Sequence, residues 1–211
     1  MPEDEPCHTR YLDFASLVAG LRKMLDGKVR GAPQDPETVA EVTEYLQSVR
    51  LNPKEWEQYT NFVGHCYTRT LVGIDPNFVV LLLSWGKGQE SPIHCHSNSS
   101  CWVKVLDGEL KESVFQSPEN PGSKPLKLTA QEIYSPNQAT YIDDTHGVHQ
   151  MGNARTDHPC VSLHVYAPAH SACHTFDRTT GARKLVSLGT AHSNPPLEMS
   201  ETDDPSHPRF L

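Results

Sequence analysis

The chain has 211 residues and a formal net charge of −8 at pH 7. It is long enough to bury a hydrophobic core, and the acidic balance without any Lys/Arg-rich run argues against nucleic-acid binding. The longest apolar run, FVVLLL at 78–83, falls far short of the ~20 residues of a membrane span, and the polar N-terminus carries no apolar signal core. We therefore expect one cytoplasmic domain over 1–211, monomeric, with no nucleic-acid or membrane partner.

Helices are predicted for about residues 10–60. Asp13 can cap a helix whose apolar residues recur every three or four positions as far as Gly27. Asp35-Pro36 and Asn52-Pro53 each place a capping side chain before a proline, which is typical of the first turn of a helix. We expect these helices to cover one face of the strands that follow.

Short strands are predicted for about residues 62–188. Runs such as CWVKVL and CVSLHVYA alternate with Gly, Pro, Asn and Asp, and Asp107-Gly108 is typical of a tight hairpin turn. Many short strands without interleaved helices indicate a mainly β chain, a small antiparallel barrel or sandwich. The polar, proline-rich residues at about 190–211 are expected to form an irregular tail.

The thiols and imidazoles are the chemically informative side chains. The six cysteines form no CxxC pair, and in a chain without a signal peptide we expect free thiols. In an extended segment His94 and His96 face the same way, so HCH is a two-ligand group for a divalent transition metal. A second segment, HGVHQMGN, adds His149.

Strand alternation makes the segment VSLHVY polar on one side. Ser162, His164 and Tyr166 share one face, while Val161, Leu163 and Val165 form the other. Three polar groups stacked in a core without partners would be costly. Either this face is exposed to solvent, or it lines a polar cavity together with the other histidines.

These residues carry a family resemblance. The run GQESPIHCHSNSSCWVKVLDG at 88–108 resembles the first cupin motif, with Cys101 where most cupins have glutamate, and His149 with Asn153 matches the end of the second motif. The segments NPKEW, CYTRTLV, SLHVYAP and CHTFDRTTG extend the likeness over roughly residues 50–185. The chain thus resembles the cysteine dioxygenases of eukaryotic type, which oxidise the thiol of L-cysteine with O2 to cysteine sulfinic acid. The resemblance implies a cupin (jelly-roll) barrel with N-terminal α-helices packed on it.

The resemblance also implies a metal centre. His94, His96 and His149 would hold one Fe(II) per chain, a set that leaves the full dipositive charge on the metal for an anionic thiolate. Cys101 and Tyr166 would be the catalytic pair that in this family can join through a thioether bond beside the iron.

The remaining implied roles concern L-cysteine and the tyrosine. Arg69 would bind the substrate carboxylate, because a planar guanidinium matches a carboxylate bidentately, and Tyr67 would lie next to it. His164, a catalytic residue, and Ser162 behind it would orient the tyrosine hydroxyl. Cys95 stands where relatives usually carry an acidic residue, and it should face away from the metal.

Two rival functions stay open at this point. A related dioxygenase could act on cysteamine, 3-mercaptopropionate or an N-terminal cysteine, although Arg69 and the Cys101/Tyr166 pair favour L-cysteine. Alternatively, a non-catalytic cupin could hold zinc, or no metal, since three imidazoles bind zinc, nickel or copper at least as tightly as Fe(II). In the plainest interpretation Cys101 is a buried strand cysteine and Arg69 makes a surface ion pair.

Overall fold

The computed structural model describes residues 11–188, in which helices come first and strands follow. The helices are α1 (Phe14–Leu25), α2 (Pro36–Ser48) and α3 (Pro53–Glu57). Two short strands, β1 (Tyr11–Leu12) and β2 (Arg50–Leu51), pair in parallel beside them.

The predicted capping residues begin the three helices. Asp13 accepts a hydrogen bond from the backbone N–H of Ser16 at 2.7 Å, and Asp35 accepts one from that of Thr38 at 2.9 Å. Asn52 caps α3 in the same way. Each cap satisfies a backbone donor that the first turn of a helix leaves without a partner, so the predicted starts are confirmed.

Eleven further strands follow α3 in the described part of the chain. They are β3 (Thr68–Asp75), β4 (Phe78–Trp85), β5 (Ile93–His94), β6 (Ser100–Asp107), β7 (Leu110–Phe115), β8 (Leu128–Tyr134), β9 (Ala139–Ile142), β10 (Val148–Asn153), β11 (Cys160–Ala167), β12 (Ala172–Phe176) and β13 (Arg183–Ser187). They form a five-stranded sheet in the order β3-β4-β11-β6-β9 and a six-stranded sheet in the order β13-β12-β5-β10-β7-β8. All pairings within the two sheets are antiparallel.

The molecule has three layers. The outer face of the five-stranded sheet packs against α1 and α2, with Leu17, Leu21, Val42 and Leu46 fully buried in that contact. The inner face packs against the six-stranded sheet through a second cluster that includes Leu83, Cys101, Leu110 and Met151. Each side of the five-stranded sheet is therefore covered, and the space between the two sheets is where the polar side chains meet.

The predicted fold class, mainly β with N-terminal helices on one face, is confirmed. Hydrogen bonds among the described strands form two separate sheets and do not close them into one continuous barrel. The Asp107-Gly108 hairpin joins β6 to β7, with Gly108 at a φ of 74° that favours glycine. Strand β8 had no signal in the sequence, because its side chains are mostly exposed and show no alternation.

The predicted tail at about 190–211 lies outside the described residues. Among those that are described, no helix is long and apolar enough to span a membrane. The five cysteines of this part of the chain are free thiols. Cys160 and Cys173 are buried, whereas Cys66 is exposed.

Candidate metal centre

The fold brings His94, His96 and His149 together between the sheets. His94 on β5 lies directly opposite His149 on β10, and His96 follows in the loop after β5. One ring nitrogen of each lies within 4.8 Å of those of the other two. His96 and His149 are buried and His94 is half-buried. The three side chains therefore form a compact group open on the side of His94.

The outward nitrogens of two histidines have fixed partners. Nδ1 of His149 lies 2.7 Å from Oε1 of Glu112, and Nδ1 of His94 lies 2.9 Å from the carbonyl oxygen of Pro92. Both contacts require an N–H at Nδ1, which leaves each Nε2 lone pair free. A carboxylate or carbonyl behind a histidine is the usual way in which proteins orient a metal ligand.

His96 is positioned through its backbone. Its N–H donates to Oδ1 of Asp144 at 2.6 Å, and the N–H of Asn98 donates to Oδ2 of the same carboxylate at 3.0 Å. In the same loop, Ser97 and Asn98 adopt positive φ angles of 51° and 66°, which are uncommon for residues with a Cβ. Asp144 thus stabilises a strained loop that carries one of the three histidines.

The chemistry of the group fits a bound metal ion. Burial lowers the pKa of His94 and lowers the pKa of His96 and His149 well below the usual value, so all three are neutral at pH 7. Both ring nitrogens of His96 are buried without a hydrogen-bond partner, which is rare for polar atoms in a folded protein. A divalent transition metal bound by the three neutral imidazoles would give one of these two nitrogens a partner.

Tyr166 and Cys101 are direct neighbours across two strands. They are paired in the register of β11 and β6. Burial raises the pKa of the Cys101 thiol and raises that of the Tyr166 phenol well above its usual value. The Tyr166 ring stacks 6.5 Å from that of His96 between centroids, so the pair lies beside the histidine group.

A chain of hydrogen bonds runs along the inner face of β11. The indole N–H of Trp85 donates to Oγ of Ser162 at 2.8 Å, and Oγ lies 2.9 Å from Nε2 of His164. Nδ1 of His164 is 3.4 Å from the Tyr166 hydroxyl. Because Trp85 can only donate, all partners are satisfied when Ser162 donates to Nε2 and His164 donates from Nδ1. The phenol O–H of Tyr166 is then free to donate to another group.

A cavity of about 380 Å³ opens beside the histidines. Arg69 on β3 lines it, and among residues 11–188 no carboxylate lies within ion-pair distance of that guanidinium. Tyr67 stacks on Trp85 with ring centroids 4.5 Å apart. His94 and Tyr166 line the same cavity, so it connects the unpaired cation to the candidate metal ligands.

The structure places all nine predicted site residues in one region. Ser162 and His164 lie behind Tyr166. The others belong to the imidazole group, the cross-strand pair or the cavity lining: His94, His96, His149, Cys101, Tyr166, Arg69 and Tyr67. Cys95 packs beside Ile93, Phe115 and Val148, away from the three imidazoles. Of the two interpretations left open for the polar face of β11, the cavity is confirmed.

Three functional contacts escaped the sequence interpretation. Glu112, Asp144 and Trp85 hold His149, the His96 loop and Ser162, respectively. Glu112 left a signal, since a carboxylate between Leu110 and Val114 on the apolar face of a strand needs a partner. The sequence carries no comparable signal for the contacts of Asp144 and Trp85.

Fold and site together define a mainly β protein with a group of three histidines that could hold a metal ion. A family model described as cysteine dioxygenase type I matches residues 8–179. Proteins named cysteine dioxygenase type 1 from Rattus norvegicus and Homo sapiens are each 38% identical to this chain over 181 residues, covering 85% of it and 86% of the relative. The relative from Danio rerio is 37% identical over 155 residues, covering 73% of this chain and 77% of its own length.

The chain belongs to the cysteine dioxygenase type I family. As a member of this family it is an enzyme, a dioxygenase.

Proposed function

We propose that the protein is an iron-dependent dioxygenase that adds both atoms of O2 to the thiol of L-cysteine, giving cysteine sulfinic acid. The observation that carries this proposal is the cavity that joins three neutral imidazoles to the unpaired guanidinium of Arg69. The family of the chain supports the same substrate.

His94, His96 and His149 would hold one Fe(II) ion per chain. Bound Fe(II) supplies the redox chemistry that activates O2, and it lowers the pKa of the substrate thiol. The residues of the chain do the rest: Glu112 and the Pro92 carbonyl fix which nitrogens face the metal. Because the three ligands are neutral, the site keeps a positive charge that favours a thiolate substrate.

Arg69 would bind the substrate carboxylate. A guanidinium without a carboxylate partner inside a cavity attracts an anion, and its planar fork forms two parallel hydrogen bonds to a carboxylate. Tyr67 lies beside it, held by its stacking on Trp85. Such a site rejects cysteamine, because binding it would leave the guanidinium desolvated and unpaired.

Tyr166 would donate its hydroxyl proton to the substrate or to oxygen and exclude water from the site. Ser162 and His164 hold the hydroxyl in the donating orientation. A thioether bond between Cys101 and the Tyr166 ring would fix the phenol further. Its formation removes one hydrogen from the thiol and one from the ring, two electrons in all, with O2 as the oxidant.

We also propose that residues 1–211 form a single cupin domain that works as a monomer in the cytoplasm. L-cysteine and O2 are then its only partners in the reaction. The net charge of −8 supports the absence of a nucleic-acid partner.

The test is reconstitution with Fe(II) under anaerobic conditions, followed by air and L-cysteine. Mass spectrometry should show cysteine that has gained two oxygen atoms, while cysteamine under the same conditions remains nearly unchanged. Equal rates with both thiols would instead support a dioxygenase with another substrate. A protein that purifies with zinc and oxidises neither thiol after Fe(II) loading would be a binding module.

A further inference from the structure

His170 is a polar residue of the substrate cavity to which neither the sequence nor the proposed reaction assigns a role. Three buried side-chain nitrogen or oxygen atoms in residues 11–188 have no hydrogen-bond partner. Two belong to His96, of which a bound metal ion would take one, and the third is Nδ1 of His170. A buried polar atom without a partner is uncommon, and in a ligand cavity it indicates a missing ligand.

The loop that carries His170 is anchored on both sides. Before it, the hydroxyl of Ser99 donates to the carbonyl oxygen of Pro168 at 2.6 Å. After it, the N–H of Leu188 donates to the carbonyl oxygen of Ser171 at 2.8 Å. The imidazole also meets the Tyr166 ring edge-on, with centroids 5.2 Å apart. The backbone on both sides of His170 is therefore anchored, and its ring packs against that of Tyr166.

The electrostatic surroundings of His170 suit an anionic group. Burial is the largest cause that lowers the pKa of His170 to about 4, and the charge of Arg69 contributes in the same direction. The ring is neutral at pH 7, so it carries one N–H donor and one acceptor. Arg69 and His170 line the same cavity, so a ligand bound there can meet both side chains.

We propose that His170 is a specificity-determining residue, whose imidazole hydrogen-bonds the carboxylate of the substrate beside Arg69. A guanidinium satisfies a carboxylate along one edge and leaves other lone pairs that need donors. His170 supplies one such donor, and the carboxylate gives Nδ1 of His170 the hydrogen-bond partner that it lacks without substrate. This inference rests on the proposed function, because it takes L-cysteine as the ligand and Arg69 as its anchor.

The experiment compares the Fe(II)-loaded wild type with His170→Phe and His170→Asn. Phenylalanine keeps the ring against Tyr166 but has no polar atom, and asparagine keeps a polar group near the position of Nδ1. Equilibrium binding is measured without O2, from the absorption change when L-cysteine or cysteamine is added, and KM and kcat are measured in air. Binding of L-cysteine to His170→Phe should weaken about tenfold, as for one lost hydrogen bond to a charged group, with cysteamine binding changed less than twofold.

His170→Asn should recover at least part of the L-cysteine affinity, and in His170→Phe the change should appear in KM rather than kcat. Equal weakening for both thiols would mean that the substitution disturbs the site as a whole, and unchanged L-cysteine affinity would mean that no contact exists. Either result overturns the assignment of His170. Both differ from failure of the proposed function, in which the wild type itself forms no cysteine sulfinic acid.

Discussion

The two faces of strand β11 serve different purposes. Val161, Leu163 and Val165 point to the helices and are buried among apolar side chains. On the opposite face, Ser162 and His164 are equally buried but polar, and they are linked by hydrogen bonds. The outer face stabilises the fold through packing, whereas the inner face orients the hydroxyl of Tyr166. One strand thus contributes both to packing and to the proposed site, because its side chains alternate.

The largest effect on stability is expected on the outer face. Leu163→Ala removes a fully buried side chain and leaves a cavity against the helices. The free energy of unfolding should fall by about 2–5 kcal/mol, measured by urea denaturation. At temperatures where the variant stays folded, KM for L-cysteine should remain within twofold of the wild type. A decrease in the free energy of unfolding of less than about 1 kcal/mol would show that the outer face contributes less to stability than its burial indicates.

The next effect is expected between the sheets, at the carboxylate behind the proposed metal ligand His149. Glu112→Gln keeps the shape of the side chain but removes the charge that faces Nδ1 of His149. The Fe(II) affinity should fall about 10–100-fold, measured anaerobically by competition with a chelator. Glu132→Gln is the matched control, since that exposed carboxylate bonds the Tyr134 hydroxyl and not His149. If both variants lost Fe(II) affinity equally, Glu112 would have no specific role behind His149.

The outer face of β6 carries a charged residue. Lys104 is fully buried, and among residues 11–188 its Nζ has a single long contact, 3.4 Å from Oδ1 of Asn137. Burial lowers the pKa of Lys104 to about 8. Between that pH and the unfolded pKa of ~10.4 the unfolded chain binds more protons, so stability should rise with pH in this window. Below about pH 8 the cost of the buried charge is fully present.

Lys104→Met should therefore stabilise the protein by about 1–2 kcal/mol at pH 7, because it replaces a poorly paired ammonium with an apolar chain. In addition, the free energy of unfolding of this variant should no longer increase with pH between about 8 and 10 as a result of residue 104. Urea denaturation at several pH values measures both effects. A variant that is less stable than the wild type at pH 7 would mean that Lys104 has a stabilising contact.

The smallest effect is expected for a serine on the inner face. Ser162→Ala removes the link between Trp85 and His164, so the tautomer of His164 is no longer fixed. The kcat for L-cysteine should fall about three- to tenfold while KM stays within twofold. Ser84→Ala, a buried serine on the outer face of β4 that accepts from the N–H of Asn61, is the control. Equal losses of kcat would contradict the special role of the inner face.

The sequence predicts what neighbouring residues determine. Helix starts follow from Asp13, Asp35 and Asn52, because a cap acts within three residues. The alternation of β11 likewise assigns its two faces before any partner is known. The family resemblance adds the histidine group and its neighbours, which local patterns alone leave scattered over the chain.

Contacts between distant segments were not predictable in the same way. Glu112 and His149 are 37 positions apart, and Asp144 and the His96 backbone are 48 apart. Their meeting depends on the strand order of the six-stranded sheet and on the loop after β5, which no local pattern encodes. His170 belongs to the same group, because its importance depends on an unpartnered nitrogen that only the packed structure reveals.

The most direct test of the central claim is a parallel measurement of iron content and activity in the wild type and His94→Ala. His94 is the least buried of the three histidines, so its removal disturbs packing least. The wild type should bind one Fe(II) per chain and convert L-cysteine to cysteine sulfinic acid, and His94→Ala should lose both properties while unfolding at the same urea concentration. A His94→Ala variant that retained both iron and activity would contradict the assignment of the metal centre.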